Sequence, residues 1–331
     1  MKRTLVLSGV FAVIIIFCSS WGFLVHRTVN QLAIYQLKGD LQEFFFENRE
    51  NLVYNAPRAD TRRNTDSTEA TKHFIDLEAF GDSAAWKMPY GWEEAVRLYN
   101  KDSLIKYGYV PYHIMYMKDK LTEAFKNKNK DSILFYAADI GHYIGDAHVP
   151  LHTTLNYDGQ LTNQKGLHSL WESMIPELEL NTYNFYVKRK VRYLKNPAET
   201  IWNVVRQSHA LVPDMLRKEL EVSKNFTDST KYRIQMRRGK ESRSYTTAFA
   251  KAYSDALKPT INQQLLASAN VIADFWYTSW VDAGKPDMED ITKDFTKADK
   301  KELRYELSAY KKNKLISDSL LIARKRSGSS E

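Results

Sequence analysis

The chain has 331 residues, 43% of them hydrophobic, with 48 Lys and Arg against 40 Asp and Glu for a formal charge of +8. This ordinary globular composition can bury a full core, which excludes a disordered or low-complexity polymer. Cys18 is the single cysteine, so a disulfide framework is excluded, and the cationic surplus favours anionic substrates or surfaces without specifying one.

Lys2 and Arg3 precede an apolar run from Leu5 to Phe17 that is too short to span a bilayer, followed by the small residues of Cys18-Ser19-Ser20. Residues 1–20 therefore read as a secretory signal, and cutting after Ser20 would make Trp21 the new N-terminus. Phe17 is bulky where lipid attachment to Cys18 would want a small residue. The product is expected to be secreted or periplasmic, with a formal charge two units lower once Lys2 and Arg3 are gone (+8 − 2 = +6). A free α-amino group, with a pKa near 8, can offer a neutral nitrogen to a metal. No later stretch is long and apolar enough for a transmembrane segment; Leu265 to Ala283 is interrupted by Asn270, Asp274 and Asp282.

Helical periodicity dominates the rest. Val29, Leu32, Ala33, Tyr35 and Leu37 keep one face apolar after His26. Asn51 to Ala70 has no period and reads as irregular. Ile133, Ala137, Ile140 and Ile144 form a stripe between Asp131 and Asp146, and Asn156 to Gly166 reads as a polar loop. Tyr183 to Tyr193 is the best alternating segment, a short strand. Ile201, Val204, Val205 and Leu211 mark a helix entered through Pro197, and Lys224 to Arg243 reads as an exposed cationic loop. A long helix follows Pro259, from Ile261 to Trp276. Beyond Pro286 two short amphipathic helices are expected, one with Leu303, Leu307 and Tyr310, the other with Ile316, Leu320 and Ala323. The expected fold is all-α: a single multi-helix domain over residues 21–285 with a C-terminal helical extension over 286–331.

Chemistry concentrates in histidines paired with carboxylates. His142 and Asp146 lie four apart on one helix face, in line with Ala138 and Leu134, so both should point inward. Pro150 stops that helix and His152 follows; after the polar loop, His168 and Glu172 repeat the interval. Upstream stand His26, Asp60, and His73 in His73-Phe74-Ile75-Asp76. One such pair alone is more often a buried hydrogen-bonded pair, and Gly141 and Gly145 could serve only to let a neighbouring helix pack closely. Two pairs flanking Pro150-Leu151-His152 shift the balance to metal. Imidazole with carboxylate and no thiolate suits zinc, and these side chains exceed the needs of one tetrahedral ion. His113, His148 and His209 have no partner at ligand spacing and read as structural. Asp139 and Asp76 are candidates to brace the imidazoles.

These ordered motifs resemble the superfamily shared by bacterial zinc-dependent phospholipase C and the S1/P1 nucleases, from Trp21 to about Ala283. The resemblance implies three zinc ions in a helical cleft. Asp60, His73 and His142 would hold one, with Asp60 preferred to Asp66 by its interval to His73. Asp146 would be shared between that ion and a third, completed by the α-amino group and carbonyl of Trp21 and by His26. His152, His168 and Glu172 would hold the second. The implied activity is metal-assisted, in-line hydrolysis of a phosphate ester, with Asp60 orienting the water, so Asp60 and Asp146 are the expected catalytic carboxylates. Trp21-Gly22 with His26 five residues after the tryptophan resembles the nuclease branch; Glu172 and the short loop before His168 resemble the phospholipase. Phe74 could stack on a base. The favoured substrate is single-stranded nucleic acid or nucleotides. A phospholipid head group is the alternative, and a non-catalytic zinc-binding surface protein is a further one.

Overall fold

The computed structural model describes residues 22–237, 240–292 and 295–324. The expected signal segment, with Cys18, and Trp21 lie outside the described residues. Among those described, no helix is long and apolar enough to cross a membrane.

The fold is all-α apart from one two-stranded hairpin. At its centre Val110–Lys126 and Lys130–Ala147 form an antiparallel pair joined by a tight turn, with Lys128 at a φ of 48°. Asn129 caps the second helix by accepting from the Ser132 amide at 2.9 Å. The long helix Thr260–Asp282 packs on both, and the first helix, Gly22–Ile34, lies across this layer. Their apolar stripes meet in one core. Trp276 is fully buried, stacks on Phe45 with ring centroids 4.6 Å apart, and donates its indole N–H to the Ala137 carbonyl. Burying side chains of this size contributes roughly 1.5–3 kcal/mol each.

Several expectations are corrected. Asn51 to Ala70 is not irregular throughout: the helices Arg49–Asn55 and Arg58–Arg62 run into it, both too short to register a 3.6-residue period. Tyr183 to Tyr193 does not form the expected strand. Side chains satisfy its amides instead, Asn313 at Phe185 and Asp274 at Arg192. The strands occur where a loop was expected: Tyr232–Arg237 pairs antiparallel with Lys240–Tyr245. There the Tyr232, Ile234, Met236 alternation is masked by the density of Arg and Lys.

In the C-terminal extension, Lys297–Lys311 is the expected helix, started by a capping box between Thr296 and Asp299. The second helix, expected around Ile316 to Ala323, does not form; the chain turns there, and the last described element is a single 3-10 turn, Ile322–Arg324. Gln31 holds this segment to the first helix by donating to the Leu320 carbonyl and accepting from the Ile322 amide. Leu303, Tyr310, Leu315 and Leu321 are buried in the same core as the rest of the protein.

Candidate metal centre

The helix Lys130–Ala147 carries His142 and Asp146 one turn apart, both buried. Pro150 then opens a 3-10 turn, Pro150–Thr153, that presents His152. His73 follows another 3-10 turn, Ala70–Lys72, and its segment is laced to this one: the Ile75 amide donates to the His152 carbonyl at 2.9 Å, and His152 Nδ1 donates to the His73 carbonyl at 2.7 Å. Residues 167–179 form one helix whose middle, Leu170–Met174, is a π-turn containing Glu172. Such turns recur at functional sites because they re-aim side chains.

The first helix reaches the centre because two glycines of Lys130–Ala147 let it approach. A Cβ on Gly141 would fall 2.2 Å from Asn30 Oδ1, and one on Gly145 would fall 2.9 Å from His26 Nδ1. The close-packing role for these glycines is therefore what seats His26, whose ring stacks on His142 with centroids 3.9 Å apart.

Three groups of donor atoms result among the described residues: Asp60 with His73 and His142; His152 with His168 and Glu172; and His26 with His142 and Asp146. Asp60 Oδ1 lies 3.8 Å from both His73 Nδ1 and His142 Nε2. Asp146 Oδ2 is 2.9 Å and 3.3 Å from the same two nitrogens, and the nitrogens are 3.1 Å apart. In the second group His152 Nε2 is 3.1 Å from His168 Nε2 and 3.5 Å from Glu172 Oε2. His26 Nε2 stands between the two carboxylates, 3.5 Å from Asp146 Oδ1 and 3.7 Å from Glu172 Oε1. Asp66, the other carboxylate considered, turns away and accepts from the amide and hydroxyl of Thr68.

This donor set fits a tetrahedral cation. His142 Nδ1 faces the Ala56 carbonyl at 3.0 Å and His152 Nδ1 faces that of His73, so each must carry its proton there. Their Nε2 lone pairs then converge on other imidazole nitrogens, an arrangement that needs a positive charge between them. Zinc with bonds near 2.0–2.1 Å separates its ligands by about 3.4 Å, close to the spacings here.

Electrostatics agree. Burial alone would push Asp146 and Glu172 up, but the surrounding histidines hold both well below the usual carboxylate range. Burial opposes protonation of His152, yet Asp146 and Glu172 outweigh it and push its pKa up to about 9. Burial likewise opposes, and Asp146 with its neighbours outweighs, for His73 and His142, both raised. A divalent ion supplies the charge these carboxylates otherwise draw from shared protons.

Glu69 was missed at the sequence level. It is wholly buried (0% exposed), faces His73 Nε2 at 3.4 Å, and accepts from Arg62, Lys72 and the Tyr143 hydroxyl. Its interval to His73 is again four residues, read in the opposite direction. The brace expected at Asp139 is corrected. Asp139 binds Arg58 and Arg62 rather than an imidazole, joining the centre only through Arg62 and Glu69. Asp76 is half-buried, and burial with Glu78 pushes its pKa up to about 6. Phe74, beside His73, is half-buried against Gly108, where a Cβ would fall 2.6 Å from its ring. His113 and His148 stand outside the groups, pushed down to about 3 and about 4 by burial, and His209 sits on the Thr153 carbonyl.

Exposure is uneven across the centre. Asp60 and His168 keep 23% and 32% of their side-chain surface exposed, while His26, His73 and His142 are buried. Among the described residues of these groups, Asp60 and His168 are therefore the ones most open to a ligand from solvent.

The S1/P1 nuclease family model matches residues 21–275, and the chain belongs to that family. No curated protein matches it. Membership brings the chemistry of a nuclease, hydrolysis of phosphodiester bonds, to a site whose side chains can hold metal.

Proposed function

We propose that the chain is an exported, zinc-dependent phosphodiesterase acting on single-stranded nucleic acid or nucleotides. Asp60, His73, His142 and Asp146 hold one zinc; His152, His168 and Glu172 hold a second; His26 and Asp146 hold a third with the α-amino group and carbonyl of Trp21. The observation that carries this reading is the convergence of five imidazoles on two carboxylates, Asp146 and Glu172, at spacings of 2.5–3.9 Å. The N-terminal end of the first helix points the same way, since a Cβ on Gly22 would meet Glu172 Oε1 at 3.4 Å.

Bound zinc supplies Lewis acidity, lowering the pKa of water toward about 7 and neutralising phosphate charge. The protein's own groups do the rest. Asp60, part-exposed at the rim, accepts a hydrogen bond from the attacking water and orients it toward phosphorus. Asp146 uses one oxygen toward His73 and His142 and the other toward His26, so it fixes the spacing of two ligand sets at once. Glu69 sets its negative charge 3.4 Å from the outer nitrogen of His73, which favours the proton there and leaves Nδ1 free to act as the donor. Phe74, at the edge, offers a ring face to a base.

Protein beginning at Trp21 and loaded with zinc should cleave RNA and single-stranded DNA, and EDTA should stop it. Hydrolysis of phosphatidylcholine with oligonucleotides left intact would replace this reading with a phospholipase C. Zinc binding with no hydrolysis of either would leave a non-catalytic surface protein.

A further inference from the structure

The hairpin Tyr232–Tyr245 holds five Lys and Arg (Arg233, Arg237, Arg238, Lys240, Arg243) and a single acid, Glu241, in a chain whose whole surplus is +8. Its base is fastened beside the metal centre. Tyr245 donates to the Gln164 carbonyl at 3.2 Å, and a Cβ on Gly166 would touch its ring at 3.4 Å, two residues before His168. Lys231 is spent at this base, paired with buried Glu219 at 2.7 Å. Beyond the base, Ile234 is 62% exposed and Met236 70%.

Strand alternation and the register put Arg233, Gln235, Ser242 and Ser244 on one face, a surface of hydrogen-bond donors without a carboxylate. The other face bears Ile234 and Met236, with the Arg243 guanidinium 3.4 Å over the Tyr232 ring. An isolated two-stranded ribbon is marginal in water, and concentrating like charge on it costs more. A polyanion lying along it reverses that cost.

We propose that this hairpin grips the sugar-phosphate backbone of a polynucleotide outside the metal centre. Six residues of strand reach about 20 Å, so the ribbon extends the substrate path well past the bond being cut. Arg233 and its neighbours meet phosphates, while Ile234 and Met236 meet base faces. The proposal rests on the nucleic-acid reading above.

The test compares the zinc-loaded protein with an R233Q/R237Q/K240Q variant, which spares Arg243 and the anchored base. Affinity for a fluorescent, cleavage-resistant single strand of roughly 20 nucleotides should fall about tenfold, and the slope of log affinity against log salt should shrink by about two, at ~0.7 per lost contact. KM for an ordinary strand of that length should rise in step, while turnover of a dinucleotide, too short to reach the ribbon, stays unchanged and certifies the fold. Unchanged affinity and salt slope would overturn the proposal. So would lost binding to phosphatidylglycerol vesicles with oligonucleotide affinity intact. If neither protein cleaves any oligonucleotide but the variant still binds the strand more weakly, the ribbon proposal stands and the nuclease reading falls.

Discussion

His152 Nδ1 donates to the backbone carbonyl of His73 at 2.7 Å, so a side chain of one donor group is anchored on the main chain of another. The Ile75 amide returns a bond to the His152 carbonyl. The two groups cannot drift apart without breaking both bonds, and their separation is set by protein rather than by the metal. A two-ion centre needs that preorganisation, because the distance between ions decides whether one phosphate can span them.

Glu69 should matter as much as a ligand. E69Q keeps the shape but removes the charge facing His73 and the ion pairs to Arg62 and Lys72, which keep only Asp139 and Asp66. Zinc affinity or activity should fall about 10–100-fold, measured by zinc titration against a competing chelator. An effect below twofold would mean His73 needs no brace.

A methyl group at Gly145 should eject His26. The new Cβ would stand 2.9 Å from His26 Nδ1 inside a packed interface, and overpacking of this kind costs about 1–3 kcal/mol. G145A should fold, with a lower melting temperature, and bind one zinc fewer per chain by elemental analysis. A variant with the full metal content would show that the first helix can slide.

Stability should respond to pH differently with and without metal. Without metal, the folded pKa of His152, about 9, exceeds its unfolded value near 6.5. Its contribution is thus complete below about pH 6.5 and is lost as pH rises through 9. Asp146 and Glu172, held low in the fold, stabilise above their ordinary pKa values and lose that contribution as pH falls. Melting curves in EDTA should therefore drop steeply on the alkaline side, and zinc, taking the place of the protons, should flatten the drop. Zinc uptake at pH 7.5 should release protons, detectable by calorimetry in buffers of different ionisation enthalpy.

The terminus can be tested directly. His26 Nε2 faces Asp146 and Glu172, and the proposed third site takes its remaining donors from Trp21. A single residue added ahead of Trp21 should remove one zinc and most activity, while the other two ions stay. Unchanged zinc content in the extended protein would exclude the α-amino group as a ligand.

The sequence by itself determined the helical class and the ligand candidates, because both are local. A 3.6-residue period needs only neighbours to be seen, and His142 with Asp146 or His168 with Glu172 share a helix face whatever the rest of the chain does. It also marked Gly141 and Gly145 as places of close approach. What approached, the first helix with Asn30 and His26, only the tertiary structure decided, because that contact joins segments more than a hundred residues apart in sequence. The same holds for Glu69, whose value comes from Arg62, Lys72 and Tyr143 gathered around it in a space closed to water. It holds for the segment Tyr183 to Tyr193, where the expected strand does not form and side chains accept from the amides of Phe185 and Arg192. The basic hairpin is the clearest case: its charges hid its alternation, and only the pairing that sets Tyr232 opposite Tyr245 made strands of it. Local preference chooses an element, and the partner available to each hydrogen bond and each charge decides what that element becomes.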